Sequence, residues 1–328
     1  MPVLENCGYK APFWLPGGNA QTIGPRIVCF VPRLPFAREQ LELEDGDFIL
    51  VDWLFASGKA ESPASKLVIL SHGLEGDSTR SYMRAMAIAM ANHGWDVASR
   101  NFRGCGGPIN RLPVLYHSGE TADLDAVVRH AEARGYEHIA LVGFSMGANQ
   151  ILMYLGKTPE AVPASVKRAA AVSVPCDLTG CSVELSRPRN RIYMEYFLRT
   201  LRGKMREKHA AFPDLFDIEG LDGMKTFKEF DGRFTAPLGG FSSAEDYWEK
   251  ASSLPYLDRI RIPSLVVNAA NDPFLSESCY PVEEAGASPY LYLLTPAQGG
   301  HVGFPAVTGK RVGWLENTVA DFLGTADH

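Results

Sequence analysis

The sequence predicts an α/β protein: a mostly parallel central sheet with helices on both faces and a helical lid inserted in the second half of the chain. Three observations predict it. From Leu67 onward, short apolar runs alternate with stretches of helical period, the pattern of parallel strands buried on both sides. One of those runs, Ala140-Leu141-Val142, passes through Gly143-Phe144-Ser145-Met146-Gly147 into a helix start. The rhythm then breaks between Thr179 and Leu257 and resumes at Ser264. With 328 residues the chain can hold one large domain plus an insertion. The expected division is a core of residues 1–178 and 258–328, with an N-terminal arm over 1–40, and a lid over 179–257.

The elements follow in order. Pro12-Phe13-Trp14-Leu15-Pro16, with Pro25, Pro32 and Pro35, reads as an extended arm packed on the core through Phe13 and Trp14. Leu41–Glu44 and Phe48–Phe55 flank Asp45-Gly46-Asp47, a hairpin signal at a sheet edge. Leu67–Leu70 is a buried strand ending in Ser71-His72-Gly73-Leu74-Glu75-Gly76. Ser81–His93 is helical and Gly94 ends it. Trp95–Ser99 is a strand, Ala122–Ala133 a helix stopped by Gly135, Ile139–Gly143 a strand, Ala148–Leu155 a helix and Arg168–Val174 a strand. Within the lid, Tyr193–Lys208 and Ala244–Ser252 have helical period, and Phe212–Phe241 carries aromatics that look exposed. Ser264–Ala269 and Tyr290–Leu294 are the last strands, and a helix over Lys310–Leu323 closes the chain.

Composition excludes several function classes. A net charge of −6 gives no footprint for nucleic acid. The one basic concentration, Arg199–His209, reads as a solvated helix face, with a peripheral lipid-headgroup contact through the lid as the alternative. No apolar run is long enough to span a bilayer. The six Cys lack C-x-x-C and zinc spacing, so no metal and no cofactor is expected. Met1–Lys10 has neither a basic nor an apolar leader region, and reduced thiols in a cytoplasm are the expectation.

Ser145 stands between a buried strand and a helix in G-x-S-x-G, a nucleophile elbow. Gly143 and Gly147 leave room for a turn too tight for side chains. A serine hydroxyl needs a base, and the base a buried carboxylate. Chain order Ser, acid, His is met by Asp272, in the compact Asn271-Asp272-Pro273 loop, and His301, after Gly299-Gly300 beyond the last strand. Loops at the C-terminal ends of parallel strands share one edge, so these residues can converge. Asp177, after an earlier strand, is the rival acid; Asp258 lies at the wrong edge. His93, His130 and His138 sit near helix ends, His209 in the lid, and His328 in the tail. His72 reads as structural, in a loop whose Leu74 N–H pairs with the Met146 N–H as an oxyanion hole. Arg103 supports its loop or pairs with a carboxylate, and Ser118 reads as an N-cap.

Five of these loops, taken together, resemble the YheT-like branch of the α/β-hydrolase superfamily: His72–Gly76, Asn101–Cys105, Asn110–Pro113, Tyr116–Thr121 and Gly143–Asn149. Pro12–Pro16 and Asn19-Ala20-Gln21-Thr22-Ile23 are similar to that branch's N-terminal arm. The resemblance runs from about residue 12 to the last helix and is weakest in the lid. It implies an α/β-hydrolase fold, a Ser145-Asp272-His301 triad and esterase-like activity on acyl substrates. Phospholipases and acyltransferases to alcohols occur among such relatives. The expectation is a carboxylic-ester hydrolase for small-molecule or lipid-like esters of short to medium acyl chain. The alternatives are acyl transfer to an alcohol and a non-catalytic binding protein. Phe197, Phe212, Phe216, Phe234 and Trp248 either line an apolar acyl pocket or pack the lid onto the core.

Overall fold

The strands and helices of the chain fall in an order set by its alternating apolar runs, and a computed structural model describes them over residues 3–4, 8–28, 30–60, 63–306 and 312–325. The strands are β1 (Val3–Leu4), β2 (Ala37–Glu42), β3 (Phe48–Leu54), β4 (Lys66–Ser71), β5 (Asp96–Asn101), β6 (His138–Phe144), β7 (Val166–Val172), β8 (Ser264–Val267) and β9 (Leu291–Leu294). They form a nine-stranded sheet in the order β1-β9-β8-β7-β6-β4-β5-β3-β2. Only the pairs β2–β3 and β3–β5 are antiparallel. The expected hairpin therefore occupies one edge, turned by Gly46 at φ +83°.

The helices are α1 (Gly17–Val28), α2 (Ser81–Asn92), α3 (Ala122–Ala133), α4 (Met146–Lys157), α5 (Leu178–Ser186), α6 (Arg191–Ala211), α7 (Phe227–Phe230), α8 (Ala236–Leu238), α9 (Ala244–Ala251), α10 (Val282–Ala287) and α11 (Trp314–Gly324). Strand alternation sorts side chains between two layers. Leu67, Ile69 and Leu141 pack with Leu124 and Val127 of α3 and Ile151 of α4. Val68, Leu70 and Val142 pack on the other face with Met83 and Met86 of α2 and Val319 of α11. All are fully buried, so truncating one to Ala costs about 2–5 kcal/mol.

Between β7 and β8 the chain builds a third cluster of its own, centred on Leu198, Met205, Phe216, Phe230, Phe234 and Trp248. Leu74 and Phe274 reach into it from loops at the sheet edge. The aromatics Phe216, Phe230 and Phe234, which look exposed in sequence, are buried there.

Two other expectations are corrected. The N-terminal arm is not extended: residues 17–28 are helical, and Phe13 and Trp14 are 93% and 45% exposed. Leu15 and Gln21 anchor it instead, with Gln21 Nε2 donating to Leu15 O at 2.9 Å. Gly17, Gly18 and an internal Pro25 disguise this helix, since all three disfavour helix in isolation. Nor is Arg199–His209 wholly a solvated face: Arg199 and Arg206 are exposed, but the two lysines are not. Lys204 and Lys208 are buried; Lys204 Nζ donates to Gly104 O at 2.8 Å and Lys208 Nζ to Leu112 O at 2.5 Å. Loop carbonyls across the interface accept hydrogen bonds from the ammonium groups, and residue pattern alone does not reveal such acceptors. The final helix begins at Trp314; Lys310 and Arg311 lie outside the described residues.

Candidate active site

The turn from β6 to α4 is built by close approach. A Cβ at Gly143 would lie 2.5 Å from Gly147 O, and one at Gly147 would lie 2.5 Å from both Ser71 O and His72 O. Only glycine fits at either position. Between them Ser145 takes φ +53°, ψ −120°, a conformation that costs a non-glycine residue about 1–3 kcal/mol. Its N–H is held by Val172 O at 2.9 Å, and it stands at the N-terminus of α4.

The loops after β8 and β9 bring the other two side chains to it. His301 Nε2 is 2.9 Å from Ser145 Oγ, and His301 Nδ1 is 2.8 Å from Asp272 Oδ2. Asp272 and His301 are 7% and 6% exposed. The second Asp272 oxygen accepts the Phe274 N–H at 2.9 Å, which leaves the carboxylate one orientation toward the imidazole. The Phe274 ring covers His301 with centroids 4.2 Å apart. An imidazole bridging a hydroxyl and a carboxylate in this way can take the hydroxyl proton while the carboxylate fixes its tautomer. The rival Asp177 is occupied elsewhere: it accepts from Gly180 N at 3.1 Å and from the Ser278 hydroxyl at 2.5 Å, capping α5. Among the other histidines, the His93 and His209 rings bond to the Ala89 and Phe216 carbonyls, and His328 lies outside the described residues.

Leu74 and Met146 face the same cavity as Ser145 and His301. Among the described residues neither of their N–H groups has a hydrogen-bond partner. The loop carrying Leu74 is fixed from several sides. His72, fully buried, donates through Nδ1 to Gly73 O at 2.7 Å and accepts the Phe102 N–H at Nε2, 3.1 Å away. Burial pushes its pKa down to about 3, so this ring stays neutral. Gly73 N donates to Tyr82 Oη at 3.1 Å. Glu75, at φ +52°, gives its N–H to Tyr116 Oη at 2.9 Å and accepts the Tyr116 hydroxyl at 2.5 Å. Lys204 of α6 lies 3.1 Å from the same Glu75 carboxylate. Burial alone would lower the Lys204 pKa, but the Cys105 thiol and Glu75 outweigh it and hold the ammonium above its ordinary value.

The support of the histidine loop was not visible in the sequence. Thr22 Oγ1 accepts the His301 N–H at 2.9 Å, and Gln21 Oε1 accepts both Gly299 N at 2.8 Å and Asn271 Nδ2 at 2.9 Å. Asn271 Oδ1 in turn accepts Gly300 N at 3.0 Å. Helix α1 thus clamps the acid loop and the histidine loop together. The signal for it in the sequence is the pair of polar residues Gln21 and Thr22 in the Asn19–Ile23 motif. Arg103 does both things expected of it: it pairs with Asp123 at 2.7 Å and Asp45 at 2.6 Å, and so holds its loop to the edge hairpin. Ser118 is not the cap of α3; Glu120 Oε1 accepts the Asp123 N–H at 3.0 Å there. Ser118 is buried instead, with its N–H on Tyr247 Oη at 3.0 Å.

Two cavities meet at Ser145 and His301. The inner one is lined by Leu115, Leu185, Phe197, Leu201, Phe227 and Trp248 among others, with Asp231, Thr235, Ser182 and Lys204 among its polar groups. The outer one lies between α1 and α6 and is lined by Ile23, Arg26, Ile192, Tyr193 and Tyr196. Of the five aromatics singled out in sequence, Phe197 and Trp248 line the inner cavity; Phe212, Phe216 and Phe234 belong to the apolar cluster around it. Among the described residues no group of three His, Cys, Asp or Glu side chains is placed to hold a metal ion.

Residues 66–305 match the alpha/beta hydrolase fold family. The chain is 34% identical to YheT of Escherichia coli K12 over 94% of its own length and 90% of that protein. It is 31% identical to the phospholipase ABHD3 of Mus musculus, covering 92% of this chain and 74% of the other. Among solved structures it resembles the Pyrococcus furiosus esterase Pf2001, with a TM-score of 0.60 at 17% identity over 90% of this chain and 94% of that one.

Proposed function

Because this chain belongs to the α/β-hydrolase family, we propose that it is a serine hydrolase of carboxylic esters. The observation that carries the reading is the His301 imidazole, set 2.9 Å from the Ser145 hydroxyl and 2.8 Å from the Asp272 carboxylate where two cavities meet. His301 takes the Ser145 proton as Oγ attacks the ester carbonyl. Asp272 orients the ring and stabilises its charged form without accepting the proton. The N–H groups of Leu74 and Met146, which line the cavity and have no hydrogen-bond partner among the described residues, receive the oxyanion. His301 then protonates the leaving alcohol, and water activated by the same ring releases the acid from Ser145.

The inner cavity, largely apolar, holds the acyl chain under a lid formed by the helices between β7 and β8. The outer cavity holds the alcohol. This second space also supports acyl transfer, since an incoming alcohol can occupy it in place of water; product analysis at rising alcohol concentration separates the two. A series of nitrophenyl esters of increasing acyl length tests the main reading. Turnover is expected with wild type and is lost in Ser145→Ala. Turnover that survives that substitution contradicts it.

A further inference from the structure

Helix α1 is inside out. A helix packed on a protein turns its apolar residues inward. In α1 the fully buried side chain is Gln21, and Thr22 bonds the histidine loop, while Ile23 and Ile27 are 40% and 79% exposed. Ile23 and Ile27 stand one turn apart on one face. Phe30 just beyond the helix is 78% exposed, and Ile192 at the start of α6 is 76% exposed. Ile23 and Ile192 wall the same outer cavity, and Phe13 and Trp14 before the helix are exposed as well.

The α1 and α6 residues among these border the entrance to the active site. Ile23 and Arg26 of α1 and Ile192, Tyr193 and Tyr196 of α6 wall the outer cavity, which Ser145 and His301 also line. The two helices are joined there: the Tyr193 hydroxyl donates to Asn19 Oδ1 at 3.0 Å, and the Arg26 guanidinium lies 5.3 Å from the Tyr196 ring centre. The charge around it runs against the chain as a whole. Arg26, Arg191 and Arg199 are exposed and have no ion-pair partner among the described residues, while Glu195 of α6 is paired with Arg202, in a protein of net charge −6.

We propose that this face docks on a lipid surface bearing anionic headgroups. Ile23, Ile27, Phe30 and Ile192 enter the boundary between headgroups and acyl chains, and the unpaired arginines meet the phosphates. The outer cavity then opens onto the lipid, and a lipid ester reaches Ser145 without crossing water. This rests on the ester-hydrolase reading and names its substrate class as lipid esters. The arginines select this occupant over a second copy of the chain, because a two-fold contact through this face would bring the same arginines together. Among the described residues no helix is long and apolar enough to cross a membrane, and the contact proposed is peripheral.

Flotation with vesicles of phosphatidylcholine, with and without phosphatidylglycerol, tests it. Wild type is expected to float with the phosphatidylglycerol-containing vesicles. The Ile27→Ser/Phe30→Ser double variant is expected to lose binding by at least about tenfold, from the apolar area removed. Arg191→Gln/Arg199→Gln is expected to lose the preference for phosphatidylglycerol. Both variants should keep wild-type turnover of nitrophenyl acetate, because none of the four residues touches Ser145. Wild type that stays off the vesicles, or a double variant that floats equally well, overturns the proposal. So does a wild-type dimer in ultracentrifugation that the apolar double variant dissociates, without vesicle binding. Failed flotation with intact soluble-ester turnover sinks docking alone. Flotation without Ser145-dependent turnover supports docking and sinks the ester reading.

Discussion

Thr22 Oγ1 accepts the main-chain N–H of His301 at 2.9 Å, joining residues 279 positions apart in sequence. The loop that carries the imidazole is therefore positioned by the N-terminal helix as well as by β9. Gln21 reinforces the same junction through Gly299 and Asn271.

Thr22→Val keeps the shape of the side chain and removes the acceptor. We expect kcat to fall by about tenfold to a hundredfold through misplacement of the ring, with KM for a soluble ester little changed, and Thr22→Ser to restore most of the rate. Steady-state kinetics of the two variants decides it. A Val variant as fast as wild type would show that α1 does not position the base.

Lys204 and Glu75 form a buried pair, with side chains 7% and 8% exposed, between α6 and the loop that carries Leu74. Lys204→Met leaves the Glu75 carboxylate uncompensated, at a cost of about 3–5 kcal/mol. The double variant Glu75→Gln/Lys204→Met should recover a substantial part of that loss. A denaturation double-mutant cycle measures the coupling, and additive losses would contradict it.

Glycine substitutions separate close approach from mere flexibility. A Cβ at Gly18 would lie 1.9 Å from Asn271 O, so Gly18→Ala pushes α1 off the acid loop and is expected to cost about 3 kcal/mol or more, together with activity. Gly203, within α6, has nothing within 4 Å of its would-be Cβ, and Gly203→Ala should stabilise by up to ~1 kcal/mol. Thermal unfolding of the two proteins should shift in opposite directions.

The sheet was legible because its strands are short, apolar and bounded by turn residues; β6 and its Gly143-Phe144-Ser145-Met146-Gly147 turn are the plainest case. Helix α1 was not. Gly17, Gly18 and Pro25 suppress its propensity, and its inward face is polar, so the usual apolar stripe points outward at Ile23 and Ile27. Lys204 and Lys208 misled for the opposite reason. Lysines normally mark solvent, and their partners, Glu75 and the carbonyls of Gly104 and Leu112, lie about a hundred or more residues away. Ser118 looked like a cap because a helix begins soon after it, yet Glu120 satisfies that helix end.

Asp231 accepts from Trp248 Nε1 at 2.9 Å and the Thr235 hydroxyl at 2.7 Å inside the inner cavity, and burial pushes its pKa up from 3.8 to about 6. A raised carboxyl pKa means that the folded state holds the proton more tightly. The contribution to stability is full below the ordinary aspartate value and is lost as pH rises through about 6. Between about pH 4 and about pH 7 wild type should therefore lose up to ~3 kcal/mol relative to Asp231→Asn. Urea unfolding of both proteins at the two pH values checks it; a constant difference contradicts it.

The most direct test of the account is labelling by a fluorophosphonate, which traps a serine only where a base activates it. Peptide mapping of the folded protein is expected to show one adduct, on Ser145, absent in Ser145→Ala and formed far more slowly in His301→Gln. Folded wild-type protein that leaves Ser145 unmodified, or a His301→Gln variant labelled at the wild-type rate, contradicts it.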